Sequence, residues 1–251
     1  MLPRHRAVHV ERAVAGGSSW PVVVRDDDDR RWLVKLRGAA QGTGPLVAEV
    51  VVAELAAALA LPVPARAIIT VDAALTSADP HQELAELLAH SRGDNLGFAF
   101  LPDARAATPD AVEPATAVRI LWLDGLVGNL DRTARNPNLL ADGEHLWLID
   151  HGASLSFQYA WPAVTEASPQ RPLRAREPHL LAAHAPALAA AAPALAALLT
   201  RDVLEAALAV VPDSFLAPLV AVATPDALAR LRAAHVAYLW KRLRAPQLFA
   251  S

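Results

Sequence analysis

The placement of glycine divides this chain into two parts that must fold differently. All 11 glycines lie between Gly16 and Gly152, and residues 153–251 contain none. Glycine supplies the positive φ angles of tight turns and weakens helices, so the first part suits strands joined by turns. The second part predicts helices, which prolines interrupt. Together with the order of the predicted elements described below, this predicts an α+β protein with a strand-rich lobe over residues 1–102 and a mainly helical lobe over residues 103–251.

Composition excludes several classes of function. A formal net charge of −3 gives no basic surface for nucleic acids, and the lack of cysteine excludes disulfides, thiol nucleophiles and cysteine-based zinc sites. Residues 1–10 carry basic side chains but no apolar run of a signal peptide, so we expect a cytoplasmic protein. Residues 180–199 are rich in Leu and Ala, but a histidine and two prolines interrupt them. We expect two short buried helices there and no membrane span.

The N-terminal lobe predicts an antiparallel sheet with one long helix. Short apolar runs bounded by turn residues predict five strands, at residues 8–14, 20–25, 31–37, 65–71 and 96–101. Helical patterns cover residues 45–59 and, more briefly, 80–90. The four aspartates at 26–29 predict a solvated hairpin turn, with a Ca²⁺ or Mg²⁺ site as the alternative.

The C-terminal lobe predicts mainly helices. Apolar residues at helical spacing cover residues 108–128, and a β-hairpin is predicted from 139–140 and 146–149. About five helices follow from residue 177, the last over 225–243, where a proline and an aspartate suit the first turn.

The densest polar cluster follows the helix predicted at 108–128. Asp131 and Asn136 have the D-x-x-x-x-N spacing of the kinase catalytic loop, and Asp150 opens an Asp-x-Gly turn after a strand. Phosphoryl transfer needs positioning and charge neutralisation, so Asp131 would receive the proton of the acceptor hydroxyl. Asn136 and Asp150 would offer Mg²⁺ the oxygen ligands that it prefers. Each residue alone also suits a turn or a helix cap, but their order favours a kinase.

Lys35 is one of only two lysines among 23 basic residues. Strand alternation places Trp32, Val34 and Leu36 on one face and Lys35 on the other. A lysine on such a strand is similar to that of the kinase V-A-I-K strand, which binds the α- and β-phosphates. The alternative is an ordinary lysine at a strand edge.

Other candidate nucleotide contacts are less specific. Helical spacing places Glu54 within the apolar stripe of the 45–59 helix and Glu49 nearly opposite, so the helix face alone favours Glu54 as the partner of Lys35. The Gly-rich turn has backbone N–H groups that would suit phosphates or a plain hairpin, and its candidates are Gly17, Ser18 and Ser19. Phe100 and Leu101, at a strand end, are the candidates for adenine contact.

Several motifs together resemble the HipA-like kinases, specifically their short single-module branch. They are Trp32-Leu33-Val34-Lys35, Ala48-Glu49 with Leu55-Ala56, Leu123 to Asn129, Asp131-Arg132, Asn136 to Leu140, and Ile149-Asp150-His151-Gly152. The phosphoinositide kinases are a more distant resemblance. The HipA-like resemblance implies a bilobal protein-kinase-like fold with ATP and Mg²⁺ as cofactors. It also implies Lys35 as the phosphate-binding lysine, Asp131 as the catalytic base, and Asn136 and Asp150 as metal ligands. It also favours Glu49 over Glu54.

The implied activity is transfer of the γ-phosphate of ATP to a hydroxyl group of a protein Ser or Thr. The sequence departs from the toxin kinases of the family at Thr133, where they carry His. An alternative is a small-molecule kinase of the aminoglycoside-phosphotransferase type, although Gly128-Asn129-Leu130-Asp131 lacks the usual H-G-D. A nucleotide-binding pseudokinase or scaffold is another. The expected partners are ATP and an unidentified protein or small-molecule acceptor, without nucleic acid or membrane.

Overall fold

The computed structural model describes residues 1–14, 20–39, 41–77, 81–143, 145–172 and 176–245. The chain divides into two compact units. Unit 1 comprises Met1–Val47, Pro64–Pro102 and Pro212–Ala223, and unit 2 comprises Ala48–Val63, Asp103–Val211 and Thr224–Ser251. The chain changes from unit 1 to unit 2 after residue 102. In addition, residues 48–63 belong to unit 2 and residues 212–223 to unit 1, although their neighbours in sequence belong to the other unit.

Unit 1 is built on a six-stranded sheet. Its strands are β1 (Arg4–Ala13), β2 (Val22–Asp26), β3 (Arg31–Lys35), β4 (Arg66–Val71), β5 (Thr76–Ser77) and β6 (Gly93–Ala99). The order is β2-β3-β6-β4-β1-β5, and β1 also pairs with β2, so five strands close into a ring of pairings. The prediction of an antiparallel sheet is wrong for β1, which runs parallel to β4 and β5. Long connections between strands permit parallel pairing, and a strand pattern does not reveal its partner.

One face of this sheet forms the core of unit 1. Trp32 and Val34 of β3 join buried side chains of β2 and β4 and Leu84 of helix α2 (Gln82–His90). The predicted alternation of β3 is therefore confirmed. A Cβ on Gly97 would lie 2.5 Å from Cγ1 of the buried Ile69, so this close approach requires glycine.

Residues 26–30 form the predicted hairpin turn between β2 and β3. Asp26 is 1% exposed, and its Oδ1 accepts the N–H groups of Asp28 and Arg30 at 3.0 and 2.8 Å. Its Oδ2 accepts from Trp32 Nε1 at 2.8 Å. Among the described residues, His5, Asp26 and Asp27 place ligand atoms within 4.8 Å of one another. Because the Asp26 carboxylate already holds the turn together, we assign it a structural role.

Helix α1 (Gly44–Ala58) begins in unit 1 and continues into unit 2. Unit 2 then contains helix α3 (Pro114–Val127), whose first turn Glu113 caps by accepting from the N–H groups of Ala115 and Thr116, both at 2.9 Å. Unit 2 also contains a three-stranded sheet, with strand β7 (Arg105–Ala106) before α3 and strands β8 (Leu139–Asp142) and β9 (His145–Leu148) after it. The predicted hairpin is confirmed, with β7 added at its edge.

The remaining helices are α4 (Leu188–Leu198), α5 (Arg201–Val210), α6 (Asp213–Leu216), which belongs to unit 1, and α7 (Pro225–Leu243). The prediction for α7 is confirmed at both ends. Pro225 stands in its first turn, and Thr224 Oγ1 accepts from Ala227 N at 3.1 Å.

The Leu- and Ala-rich segment differs from its prediction. It forms a 3-10 helix (Ala182–Ala187) and then α4, in which Leu195 is buried while most alanines are exposed. Alanine is small enough to be tolerated at the surface, so its richness did not indicate burial. In the part of the chain that the structure describes, no single helix meets the length and hydropathy of a membrane span. Only Ala182–Leu198 and Arg201–Val210 taken together do so, and they are bent by 68°.

Candidate active site

The loop over residues 129–138 holds the predicted catalytic base Asp131 and the predicted metal ligand Asn136, and it begins where α3 ends. Gly128 has a left-handed φ of 74°, which ends the helix. Asn129 N then donates to the Asp124 carbonyl at 2.9 Å. Asn129 Oδ1 accepts from Asp131 N at 3.1 Å, a turn that asparagine side chains commonly form. The helix end therefore fixes the backbone of Asp131.

Asp131 and Asn136 meet within this loop. Asn136 Nδ2 donates to Asp131 Oδ2 at 2.9 Å. Two backbone hydrogen bonds between Thr133 and Asn136, at 3.0 and 3.2 Å, close the turn that brings them together. Asp131 is half-buried and Asn136 is exposed, so both side chains are accessible. Residues five apart in sequence thus form one local unit.

Asp150 lies directly after the β8–β9 hairpin, next to the 129–138 loop. Ile149 N donates to the Asn138 carbonyl at 3.2 Å, which joins the end of the loop to the residue before Asp150. Asp150 has a left-handed φ of 55°, a conformation that aspartate adopts more readily than most residues. The structure therefore places the three predicted catalytic and metal-binding groups on adjoining segments of unit 2.

Lys35 lies in unit 1 at the end of β3, on the face opposite the core. It is 8% exposed, and its Nζ lies 5.9 Å from the ring centroid of Phe98 on β6. An ammonium at this distance from an aromatic face is attracted by the ring quadrupole. Lys35 is therefore a largely buried lysine on an interior strand of the sheet, not a solvated lysine.

The other predicted nucleotide contacts have different outcomes. Phe100 and Leu101 follow β6 and are half-buried. The guanidinium of Arg31 lies 4.3 Å from the Phe100 ring centroid, and Phe100 N donates to the Arg31 carbonyl at 3.0 Å. Their contact with adenine stays a prediction. Three further candidates lie outside the described residues, namely Gly17, Ser18 and Ser19.

Burial separates the two glutamates of α1. Glu49 is fully buried, whereas Glu54 is partly exposed. A buried carboxylate is tolerated only with compensating interactions, while a partly exposed one is solvated. This burial is opposite to the helix-face reasoning, which placed Glu54 within the apolar stripe. Glu49 as the partner of Lys35 stays a prediction.

Sequence reasoning missed a buried charge network beneath the loop. Asp124 of α3 and Arg132 are 1% and 0% exposed, and Arg132 donates to both Asp124 oxygens, from Nε at 2.6 Å and from Nη2 at 3.3 Å. Asn129 Nδ2 and His179 Nε2 also donate to Asp124, at 3.0 and 2.9 Å. The signal in the sequence that could have revealed this network is Asp124 itself, an aspartate among the apolar residues of α3.

Electrostatics keeps Asp124 ionised despite its depth. Burial acts to raise the pKa of Asp124, but the charge of Arg132 and the hydrogen bonds from His179 and Arg132 outweigh burial. The pKa of Asp124 therefore lies well below its usual range. The network therefore holds an ionised carboxylate beneath the 129–138 loop.

Comparison with known proteins agrees with this geometry. A family model described as HipA-like kinase matches residues 7–166, which include each assigned residue from Lys35 to Asp150. No curated protein sequence matches the chain significantly. Among solved structures the chain is similar to the proinflammatory kinase CtkA of Helicobacter pylori, with a TM-score of 0.53 and 11% sequence identity over 94% of this chain and 90% of that chain. This likeness shows a shared mixed α+β fold.

Proposed function

This chain belongs to the HipA-like kinase family, and we propose that it transfers the γ-phosphate of ATP to a hydroxyl group of a protein Ser or Thr, with Mg²⁺ as cofactor. The observation that carries the proposal is the hydrogen-bonded pair Asp131–Asn136, at 2.9 Å, on a segment joined to that of Asp150. This set of groups and their chain order match the parts that phosphoryl transfer requires.

Asp131 acts on the acceptor. The acceptor hydroxyl oxygen forms a bond to the γ-phosphorus as the bond between that phosphorus and the β,γ-bridging oxygen breaks, and ADP leaves. Asp131 receives the hydroxyl proton. The hydrogen bond from Asn136 Nδ2 to Asp131 Oδ2 orients the carboxylate, and the Asn129 turn fixes the backbone that carries it; general-base catalysis needs such positioning.

The donor set of the site fits Mg²⁺. Because Asn136 Nδ2 faces Asp131, its amide oxygen Oδ1 is the atom that offers itself as a ligand. Asp150 adds carboxylate oxygens, and hard cations prefer such oxygen ligands. When bound, the ion neutralises charge on the nucleotide phosphates. We assign Asn136 and Asp150 to hold it.

Lys35 is assigned to bind the phosphates of ATP. Its burial on β3 supports the assignment, because a compact ammonium in a poorly solvated place interacts strongly with an anion. The family supports ATP as the phosphate donor. A protein Ser or Thr as acceptor, and not a small molecule, is the proposal drawn from the HipA-like resemblance.

Phosphate transfer from radiolabelled ATP tests this function. Purified protein is incubated with Mg²⁺ and labelled ATP, alone, with a pool of dephosphorylated proteins, and with an aminoglycoside mixture. We expect Mg²⁺-dependent label in Ser or Thr of protein and none in aminoglycoside. Asp131→Asn is expected to lower the rate at least about 100-fold, the contribution typical of a general base.

Asp142→Asn is the matched control, because Asp142 is an exposed aspartate at the end of β8, away from the loop. It should keep the wild-type rate. Equal rates in wild type and Asp131→Asn would overturn the catalytic role. Label in the aminoglycoside fraction would identify a small-molecule kinase, and ATP binding without transfer would identify a pseudokinase.

A further inference from the structure

A short segment of unit 2, residues 177–181, follows the 129–138 loop at three points. Thr133 and His179 form an isolated antiparallel bridge, and Leu180 N donates to the Arg132 carbonyl at 2.9 Å. Arg135 and Glu177 form an exposed ion pair at 2.7 Å. The 177–181 segment therefore lies along the loop that carries Asp131 and Asn136.

His179 adds a side-chain contact that reaches beneath the loop. Its Nδ1 accepts from Leu181 N at 3.0 Å, so this nitrogen carries no proton, and Nε2–H donates to Asp124 Oδ2 at 2.9 Å. The imidazole is thus fixed at both nitrogens, in one tautomer. It ties the backbone of the 177–181 segment to the buried carboxylate of α3.

Arg132 connects Asp124 to the 129–138 loop. The guanidinium of Arg132, next in sequence to Asp131, binds Asp124 and also donates to the Asn138 carbonyl. That same carbonyl accepts from Ile149, the residue before Asp150. A chain of hydrogen bonds therefore runs from the 177–181 segment under Asp131 to the segment of Asp150. Such planar, two-point contacts fix direction as well as distance.

We propose that His179 is a positioning residue of the phosphotransfer reaction: by donating to Asp124, it fixes the 129–138 loop, and the geometry of Asp131 depends on the 177–181 segment being in place. This inference rests on the proposed function and deepens it. His179 touches neither Asp131 nor Asn136 in the described contacts, so it acts through Asp124 and Arg132. Displacement of the 177–181 segment would loosen the loop without altering any catalytic side chain.

Two substitutions separate the two hydrogen bonds of His179. His179→Gln places an amide N–H where Nε2 stands and keeps donation to Asp124. His179→Asn reaches only the position of Nδ1, so it keeps an acceptor for Leu181 N and loses the donor to Asp124. His184→Gln is the matched control, because His184 is a half-buried histidine of the following 3-10 helix.

Each variant is measured for kcat, KM for ATP, thermal unfolding, and amide hydrogen exchange of residues 129–138 without nucleotide. We expect His179→Asn to lower kcat by on the order of 10- to 100-fold, as loss of an orienting partner or a small misplacement does, with KM for ATP within twofold. Exchange in the loop should rise at least about tenfold, because protection there follows local opening. In His179→Gln, kcat and the exchange rate of the loop should both lie within about fivefold of the wild-type values. His184→Gln should change neither quantity.

Activity tests the proposed function, whereas hydrogen exchange tests the role of His179, so the two hypotheses can fail independently. If wild-type protein transfers no phosphate, the proposed function is lost, but faster loop exchange in His179→Asn with recovery in His179→Gln still shows that His179 fixes the 129–138 loop. Wild-type exchange and kcat in His179→Asn would overturn that role. So would equal impairment of the two variants, or faster exchange spread evenly over unit 2, because either result indicates general destabilisation.

Discussion

The two lysines of the chain form a natural pair for testing Lys35. Lys35 is buried on β3, whereas Lys241, near the end of α7, has a side chain 46% exposed and pairs with Glu166. Lys35→Arg keeps the charge but replaces a compact ammonium by a larger planar group. We expect kcat/KM for ATP to fall on the order of 100-fold, as when a preorganised charge contact is removed.

The measurement is steady-state ADP release by purified variants. Lys241→Arg is the control and should remain within about twofold of wild type, because exposed ion pairs contribute little. Wild-type kinetics in Lys35→Arg would remove the phosphate-binding role of Lys35.

The two glutamates of α1 give a second test at the scale of single residues. Glu49→Gln is expected to lower kcat/KM at least about tenfold, because a fully buried polar side chain on this helix is held in one position and small misplacements at a site are costly. Glu54→Gln, on a partly exposed side chain, should leave the rate nearly unchanged. Both variants are compared by ADP release and by thermal unfolding. A loss confined to Glu54→Gln would show that the apolar stripe identifies the partner residue.

At the scale of elements, the burial of α1 limits what its helix face can indicate. Its apolar side chains are buried on nearly all sides, from Leu46 to Leu55. A helix that is apolar all round has no single face that points inward. The helical position of a glutamate on it therefore does not indicate which part of the protein that glutamate faces. The β8–β9 hairpin and α7 were predictable, because their turn residues and end signals lie within the elements themselves.

Helix α7 packs an unusual histidine into an aromatic cluster. The ring of His235 lies 5.5 Å from that of Phe157 and 5.0 Å from that of Trp161, and Phe157 stacks on Tyr238 at 3.7 Å. His235 is 0% exposed, and its Nδ1 donates to the Leu231 carbonyl at 2.9 Å. Burial lowers the pKa of His235, and the bond to Leu231 only partly opposes this.

This direction predicts acid sensitivity. Below the ordinary histidine pKa of about 6.5, the unfolded chain binds a proton that folded His235 does not, so stability is full above that pH and is lost as the pH falls toward the folded pKa. We expect the melting temperature of wild type to fall about 3–5 °C per pH unit more steeply than that of His235→Phe over this window. Thermal unfolding between pH 7.5 and about 5.5 measures it.

His184→Phe is the control for this measurement, because His184 is only half-buried. Its pH dependence should match that of wild type. An unchanged slope in His235→Phe would mean that other groups account for the loss of stability in acid.

At the scale of the whole molecule, binding of ATP and Mg²⁺ should raise the melting temperature of the protein. A ligand that binds only the folded state at about 100 times its dissociation constant adds about 2.7 kcal/mol, which for a chain of this size raises the melting temperature by roughly 5–10 °C. We expect such a shift with ATP and Mg²⁺, and a much smaller one with ATP and EDTA. Asp150→Asn should lose the Mg²⁺-dependent part, while Asp142→Asn should retain it. A shift independent of Mg²⁺ in wild type would contradict the assigned metal ligands.

The sequence by itself determined the parts whose information is local. The D-x-x-x-x-N loop, the alternation of β3 around Lys35, the hairpin before Asp150 and the ends of α7 all follow from residues close together in the chain. Short spacings fix the relative positions of side chains through backbone geometry alone, as the 2.9 Å bond between Asn136 and Asp131 shows.

Only the tertiary structure decided the features that join distant residues. It paired β1 in parallel with β4, buried Glu49 rather than Glu54, and brought His179 to Asp124 across 55 positions. Burial and long-range hydrogen bonds depend on what other segments of the chain supply, and no pattern within one segment specifies its distant partner. The residues proposed for the site were therefore identifiable from the sequence, but the hydrogen bonds that hold their loop in place were not.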